Sequence, residues 1–204
     1  MCYHFHMKIV NTPTLETDRL ILRKFTEKDL EPLFLLLKDE EVNRFLPWFP
    51  VKSLDETRTF FCKRYAEVYS RERGYHYAIC LQSDNIPIGY VKTDMDDGHD
   101  FGYALRKEFW HRGIVSEASK ALAARLKADD VPYITATHDV NNPRSGKVMK
   151  AVGMKYRYSY REHWQPKGQW VVFRMYQLNF DGDENRVFRK YWDLYSDHFV
   201  ENNI

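Results

Sequence analysis

The stretch Gly102–Ala121, GYALRKEFWHRGIVSEASKA, carries the most information about the fold and the candidate site of this chain. A strand-like segment at Phe101–Leu105 runs into a basic turn that contains Gly113, and an amphipathic helix begins immediately after it. Unpaired backbone N–H groups and the positive end of the helix dipole meet there, which favours a phosphate group. Arg112 adds a cation, and Gly113 lets a ligand approach the backbone closely. We therefore expect a pyrophosphate-bearing ligand at this helix start.

Composition and charge are those of an ordinary globular protein. The 31 Lys and Arg residues nearly balance the 29 Asp and Glu residues, and a net charge of +2 argues against direct nucleic-acid binding as the main role. Cys2, Cys62 and Cys80 have neither paired nor zinc-binding spacing, which predicts free thiols and no metal site. The sequence contains no signal-peptide pattern and no long apolar run, so we expect a cytoplasmic protein without membrane partners.

Hydrophobic periodicity predicts an α/β (α+β) domain over residues 1–180, in which residues 1–13 form a leader. Strands are expected at 19–24, 75–82, 86–93, 100–105, 133–137, 154–162 and 170–179, and helices at 27–39, 53–73, 114–128 and 144–152. This order favours a central mixed, twisted sheet of about seven strands with helices on both faces.

The tail over residues 181–204 is expected to be helical. Phe188, Tyr191, Tyr195 and Phe199 fall at helical spacing within it. These aromatic side chains could pack on the same domain or form a dimer contact, so both a monomer and a homodimer stay open.

Local signals predict where three of the helices begin or end. Thr26 is an expected N-cap, and Ser53 followed by Glu56 has the pattern of a capping box. Gly153 is expected to end its helix in the left-handed conformation.

Three blocks of sequence follow one another in the order and spacing of a known enzyme family. They are TDRLILR at 17–23, GYAL with WHRGIVSEA at 102–105 and 110–118, and NPRS with GM at 142–145 and 153–154. Together they resemble the GNAT N-acetyltransferases, in the RimJ/RimL-like branch of ribosomal-protein N-terminal acetyltransferases, over residues 14–180. The resemblance implies the GNAT fold and direct transfer of an acetyl group from acetyl-CoA, as co-substrate, to a primary amine. That acceptor would be a peptide N-terminus or a small molecule.

The resemblance also implies a set of cofactor-binding residues. These are Ala104, Leu105, Arg106, Arg112, Gly113, Ile114, Val115, Ser116, Asn142 and Ser145. The backbone at 104–106 would pair with the pantetheine arm like an added strand, and the N–H groups at 112–116 would hold the pyrophosphate. Val115 stands where the family usually has Gly or Ala, and its larger side chain could narrow the pyrophosphate turn.

The resemblance also implies that two residues take part in the chemistry of the thioester. The N–H group of Leu105 would stabilise the oxyanion. Many GNAT enzymes protonate the leaving thiol with a Tyr seven residues after the motif Asn, but Met149 stands there in this chain. The RimL-like branch suggests Ser145 as the substitute, although Ser145 could instead satisfy backbone donors at the start of its helix.

Candidates for the base that deprotonates the amine are less specific. Asp100 stands where relatives often hold a Glu and is our first candidate, and Glu162 is the second. His138 and His163 are further candidates. For each of the four, the sequence favours an ordinary solvated or hydrogen-bonded polar residue over a catalytic base.

Aromatic residues are expected to line the acceptor cleft. Phe45 and Trp48 lie in an apolar loop with two prolines, which could wall the cleft or only join two helices. Tyr103 lies in the predicted strand beside the cofactor, where it could equally be a core residue.

Two other functions are compatible with the sequence. A non-catalytic CoA-binding module that acts as a sensor or scaffold is favoured by Met149 and Val115, which depart from the family pattern. An RNA-associated role is disfavoured by the balanced charge. The complete donor motif makes an enzyme the better interpretation.

Overall fold

The computed structural model describes residues 10–204, which form two antiparallel sheets. The N-terminal sheet has the order β1-β2-β3-β4-β5, and the C-terminal sheet has the order β6-β8-β7-β9. The strands are β1 Leu15–Glu16, β2 Leu20–Arg23, β3 Tyr75–Leu81, β4 Pro87–Thr93, β5 Phe101–Leu105, β6 Tyr133–Asp139, β7 Lys155–Trp164, β8 Gln169–Asn179 and β9 His198–Phe199. The helices are α1 Leu30–Leu37, α2 Glu40–Asn43, α3 Leu54–Phe61, α4 Glu67–Tyr69, α5 Ile114–Ala128, α6 Pro143–Val152 and α7 Lys190–Leu194.

The two sheets adjoin between β5 and β6 and share one hydrophobic core. Among the described residues, one parallel bridge joins them there, between Asp100 and Thr135. This bridge makes the whole arrangement mixed, as the sequence predicts, and the seven predicted strands are all present as β2 to β8. The two-residue strands β1 and β9 were not predicted, because so short a segment carries no periodicity.

Helices cover both faces of the N-terminal sheet, which confirms that prediction. On one face, Ile114, Ala118 and Leu122 of α5 pack into a core with Leu22 and Val91 of the sheet. On the other face, the apolar side of α1 and the end of α3 pack on the sheet; their buried residues include Leu33, Leu37, Phe61, Ala78 and Tyr90. Within the part of the chain that the structure describes, no helix is both long and apolar enough to cross a bilayer.

The predicted helix-end signals are all present. The Asp29 carboxylate accepts hydrogen bonds from the N–H and the hydroxyl group of Thr26 at 2.7 and 2.9 Å. Ser53 accepts a hydrogen bond from the Glu56 N–H at 3.1 Å, and Gly153 ends α6 with φ 97°. The first predicted helix, 27–39, begins as a 3-10 turn at Glu27–Asp29 and continues as α1 to Leu37. The short helix α2 after it was not predicted.

The leader prediction is only partly covered, because residues 1–9 lie outside the described residues. Asn11 and Thr12 are buried, and the Asn11 side chain donates to Val68 O at 2.8 Å and to Arg71 O at 2.9 Å. The end of the leader is therefore fixed to the turn after α4.

The C-terminal tail contains the predicted helix, but α7 is only five residues long. Tyr195 is already extended, and β9 then pairs with β7 through Phe199–Ser159 and His198–Tyr160. The prediction of a helix through Phe199 was therefore wrong. The edge of β7 has backbone N–H and C=O groups that would stay unpaired if the tail were a surface helix. Hydrogen bonding to this edge therefore outweighs the helical spacing of the tail aromatic residues.

Candidate active site

A cleft of about 1160 Å³ opens where β5 and β6 separate. The only β5–β6 bridge among the described residues lies at Asp100, so the rest of β5 has no strand on its β6 side. β5, β6 and the first turns of α5 and α6 line the cleft, together with the loop after α2, parts of β7 and β8, and the tail. The predicted cofactor and acceptor residues all line this cleft except Arg106, whose side chain instead pairs with Glu108.

The turn before α5 has the geometry of an anion site. Gly113 is the N-cap, with φ 71° and ψ 6°, a left-handed conformation that favours glycine. The first helical hydrogen bond runs from the Glu117 N–H to Gly113 O at 3.0 Å, so the N–H groups of Ile114, Val115 and Ser116 have no helical partner. Arg112 beside them is exposed. The Val115 side chain is half-buried: it packs against the core and also lines the cleft, so the expected narrowing of the turn stays a prediction.

The first sequence block braces this turn. Arg19 donates to Glu117 Oε2 at 2.7 Å and to Arg112 O at 3.0 Å, and Thr17 also donates to Glu117. Burial acts in the opposite direction, but these hydrogen bonds hold the pKa of Glu117 below its usual range. Arg19 therefore fixes the backbone of the turn. Its positive charge also offsets the Glu117 carboxylate, which would otherwise repel an anion bound at this turn.

The free edge of β5 points into the cleft. The Arg106 N–H donates to Ile88 O at 2.9 Å, and the Asp94 N–H donates to Asp100 O at 3.0 Å. Because peptide groups alternate along an antiparallel strand, the N–H groups of Tyr103 and Leu105 point away from β4. Such an edge suits a pantetheine arm that pairs like an added strand, with the Leu105 N–H beside the thioester.

Trp110 fixes the end of this strand. Its indole Nε1 donates to Leu105 O at 2.7 Å, which leaves the Leu105 N–H to face the cleft. The Arg144 guanidinium lies 5.1 Å from the centre of the Trp110 ring and so connects the α5 turn to α6.

Ser145 faces Tyr103 rather than the end of its own helix. The Tyr103 hydroxyl donates to Ser145 O at 2.8 Å and lies 2.9 Å from Ser145 Oγ. Asn142 occupies the N-cap position of α6, so the alternative role of Ser145 as a cap is not what the structure has. Burial raises the pKa of Tyr103 well above its usual range, so this phenol stays protonated at neutral pH. Met149 is buried in the core.

Asp100 is already committed to an ion pair. Its Oδ2 lies 2.8 Å from Lys92 Nζ, and Lys92 also pairs with Asp94. His76 Nε2 lies 2.9 Å from the Asp94 carboxylate, and His76 Nδ1 lies 3.0 Å from Arg64 O. Both ring nitrogens of His76 therefore lie within hydrogen-bond distance of an oxygen atom. Asp100 is held as the partner of the Lys92 cation.

Glu162 has a different environment. It is half-buried on β7 and lines the cleft. Burial raises its pKa, and the nearby Tyr195 hydroxyl lowers it by less. Because a carboxylate with a raised pKa is a stronger base than an ordinary one, the structure favours Glu162 over Asp100 as the base.

The two histidine candidates have structural explanations. His138 is buried; its Nδ1 lies 2.8 Å from Asp139 O, and burial lowers its pKa. A Cβ at position 146 would lie 2.7 Å from His138 Nε2, so the ring packs closely under Gly146 of α6. His163 is exposed on β7 and contacts Trp170 edge-on at 5.3 Å.

The loop that contains Phe45 and Trp48 lines the cleft and also packs against a neighbouring helix. The two roles that the sequence left open for this loop are therefore compatible. Trp48 lines the cleft with Phe45, donates to Asn43 Oδ1 at 2.8 Å and contacts Phe60 edge-on at 5.1 Å. Lys167, in the turn after β7, reaches the same loop and donates to Asn43 O at 2.6 Å and to Arg44 O at 2.7 Å. This contact joins the two sides of the cleft.

Comparison with known proteins identifies the family. Residues 19–155 match the model of the acetyltransferase (GNAT) domain. This chain belongs to the GNAT acetyltransferase family. A curated relative, the uncharacterized N-acetyltransferase YoaA of Bacillus subtilis (strain 168), is 26% identical over 161 residues, covering 76% of this chain and 90% of YoaA. Family membership makes the chain an acetyl-CoA-dependent acetyltransferase.

Solved structures show the same GNAT fold. RimL, a ribosomal L7/L12 alpha-N-protein acetyltransferase solved with coenzyme A, has a TM-score of 0.73 and 23% identity, covering 84% of this chain and all (100%) of RimL. The microcin C7 self-immunity acetyltransferase MccE, solved with acetyl-CoA and AMP, has a TM-score of 0.70 and 19% identity, covering 80% of this chain and 93% of MccE. These similarities show that this chain shares the fold of the two enzymes.

Sequence reasoning missed several cleft residues of this GNAT protein. Lys92 and Arg64 line the cleft but lie in ordinary-looking strand and helix segments. The tail residues Tyr191 and Tyr195 were assigned to packing or a dimer contact, but they line the cleft. No local pattern marks these residues, because their roles arise from contacts between distant segments.

Proposed function

We propose that this GNAT protein moves an acetyl group from acetyl-CoA directly to a primary amine, either a protein N-terminus or a small molecule. The observation that carries the proposal is the free edge of β5, whose Leu105 N–H points into a cleft. The anion-binding turn at Gly113 and the Glu162 carboxylate line that same cleft. One cleft thus offers a place for a donor, an oxyanion and a base.

The residues fit acetyl-CoA, which would supply an activated acetyl thioester. The N–H groups at 112–116 and the Arg112 guanidinium would hold the pyrophosphate at the positive end of α5. The N–H groups of Tyr103 and Leu105 on the free edge of β5 would pair with the pantetheine arm, whereas the Arg106 N–H predicted for this role is bonded to Ile88 O. Asn142 would bind the arm from the start of α6. This arrangement leaves the thioester beside Leu105.

Three groups would then carry the chemistry. The Leu105 N–H would stabilise the oxyanion, and one such donor contributes about 3 kcal/mol to the transition state. Glu162 would take the proton from the attacking amine, directly or through water; an N-terminal amine has a pKa of about 8 and needs only modest help. Ser145 would donate its proton to the leaving thiolate and then recover a proton from solvent, and the Tyr103 hydroxyl, 2.9 Å from Ser145 Oγ, would orient the Ser145 hydroxyl.

Calorimetric titration with acetyl-CoA, and with free CoA for comparison, tests the donor half of this proposal. We expect micromolar binding, and thiol release in the presence of a panel of peptide and small-molecule amines. A folded protein that does not bind acetyl-CoA would contradict the donor site. Binding without acetylation of any amine would instead favour the non-catalytic CoA-binding module.

Replacing Ser145 with alanine is expected to lower kcat by about a hundredfold, because the leaving thiol loses its proton donor. The Kd for acetyl-CoA should stay nearly unchanged, since the pyrophosphate turn is untouched. Steady-state kinetics and calorimetry measure the two quantities. Ser70→Ala, at an exposed serine outside the cleft, is the control. An unchanged kcat in Ser145→Ala would remove Ser145 from the chemistry.

A further inference from the structure

The tail after β8 is held on the C-terminal sheet on both sides of α7. Before α7, the Tyr158 hydroxyl donates to Phe188 O at 2.8 Å. After α7, Arg174 donates to the Glu201 carboxylate at 2.9 and 2.6 Å, and β9 pairs with β7. α7 lies between these anchors, so its side chains occupy fixed positions over the sheet.

Two tyrosines of this segment reach the cleft. The rings of Tyr191 and Tyr195 stack on Tyr160 with centroid distances of 4.8 and 5.1 Å and interplanar angles of 12° and 7°. Tyr160 is buried on β7, two positions before Glu162, on the same face of the strand. The tail therefore places two phenols beside the candidate base.

Both phenol groups lie near carboxylates. Burial raises the pKa of Tyr195 to about 12, and the Glu162 carboxyl adds to this effect. Burial also raises the pKa of Tyr191, with further contributions from the charges of Asp100 and Glu162. Both hydroxyls stay protonated at neutral pH, and each oxygen can still accept a hydrogen bond.

We propose that Tyr191 and Tyr195 form the wall of the acceptor subsite and position the ammonium group of the acceptor beside Glu162. This inference rests on the proposed function. An ammonium group has three N–H donors, and the two phenol oxygens together with Glu162 supply acceptors for them. The nearby cation Lys92 is neutralised by Asp94 and Asp100, so it does not repel the acceptor. The tail residues thereby act on substrate position, beyond packing on the sheet.

Packing and positioning can be separated, because the stacking on Tyr160 needs only the rings. Tyr191→Phe and Tyr195→Phe keep the rings and remove the hydroxyls. We expect each variant to raise the KM for the amine about tenfold, as for a lost hydrogen bond to a charged group, with the KM for acetyl-CoA unchanged. The probe is whichever of two primary amines, a short peptide with a free N-terminus or 1,4-diaminobutane, wild type acetylates faster.

The pH profile gives a second readout. Among the described residues, the titratable groups around Glu162 are Tyr160 on its own strand and Tyr191 and Tyr195 of the tail. The Tyr195 hydroxyl favours the ionised form of Glu162, so its loss raises the pKa of this carboxyl. Glu162 accepts a proton only when ionised, so the acidic limb of kcat/KM should move to higher pH in Tyr195→Phe. A purely structural role of the hydroxyl would leave this limb in place.

Tyr133→Phe is the matched control, because it removes a hydroxyl that donates to Asp97 O and does not line the cleft. We expect its KM values and pH profile to match those of wild type. Unchanged KM values in both tail variants, with an active wild type, would overturn the inference and leave the proposed function intact. An equal effect of Tyr133→Phe would also overturn it. A wild type that binds acetyl-CoA but acetylates neither amine would instead count against the proposed function.

Discussion

Gly113→Asp is expected to abolish binding of acetyl-CoA. The substitution places a carboxylate at the positive end of α5, where the pyrophosphate would sit, so like charges would meet at short distance. Gly113 also has φ 71°, which aspartate adopts only with some strain. Calorimetric titration of the folded variant measures the effect, and we expect no detectable heat of binding.

Gly113→Asn separates the charge from the shape in this experiment. Asparagine has nearly the same size as aspartate and tolerates the left-handed conformation about as well. The atom nearest to a Cβ at this position is an Arg19 guanidinium nitrogen at 3.7 Å, so neither variant clashes with the protein. We expect the asparagine variant to keep measurable affinity. Equal affinities of the two variants and wild type would mean that the pyrophosphate binds elsewhere.

Glu162→Gln is expected to lower kcat by at least about a hundredfold, because the attacking amine loses the group that takes its proton. The Kd for acetyl-CoA should not change, since Glu162 lies away from the pyrophosphate turn. In wild type the rate should rise as pH increases through the raised pKa of Glu162, because only the ionised carboxylate accepts a proton. This limb should disappear in the glutamine variant, as measured by kcat over a range of pH.

Asp100→Asn is the comparison that distinguishes the two candidate bases. Asp100 is paired with Lys92, so we expect this variant to lose stability while keeping most of its turnover at low temperature. The melting temperature and kcat measure the two effects separately. If Asp100→Asn loses turnover and Glu162→Gln does not, Asp100 is the base and the ion pair with Lys92 breaks during the reaction.

Much of the donor half of the site follows from contiguous sequence. Gly113 and the helix after it are adjacent in the chain, so the turn, its free N–H groups and its charge can be predicted together. The capping signals at Thr26, Ser53 and Gly153 are equally local, and the structure has all three. Strand and helix order then follow from periodicity, because a residue's burial repeats along its own element.

The acceptor half depends on contacts between distant segments. The sequence favours Asp100 over Glu162 as the base. In the structure, Asp100 forms an ion pair with Lys92, whereas Glu162 is half-buried and has a raised pKa. Ser145 contacts Tyr103, which lies 42 residues earlier in the chain. The tail pairs with β7 and does not continue as a long surface helix, and this pairing places its tyrosines in the cleft. Periodicity shows which face of an element is buried but not which side chains it meets. Packing of the two sheets determines those partners, and with them the charge on each carboxylate.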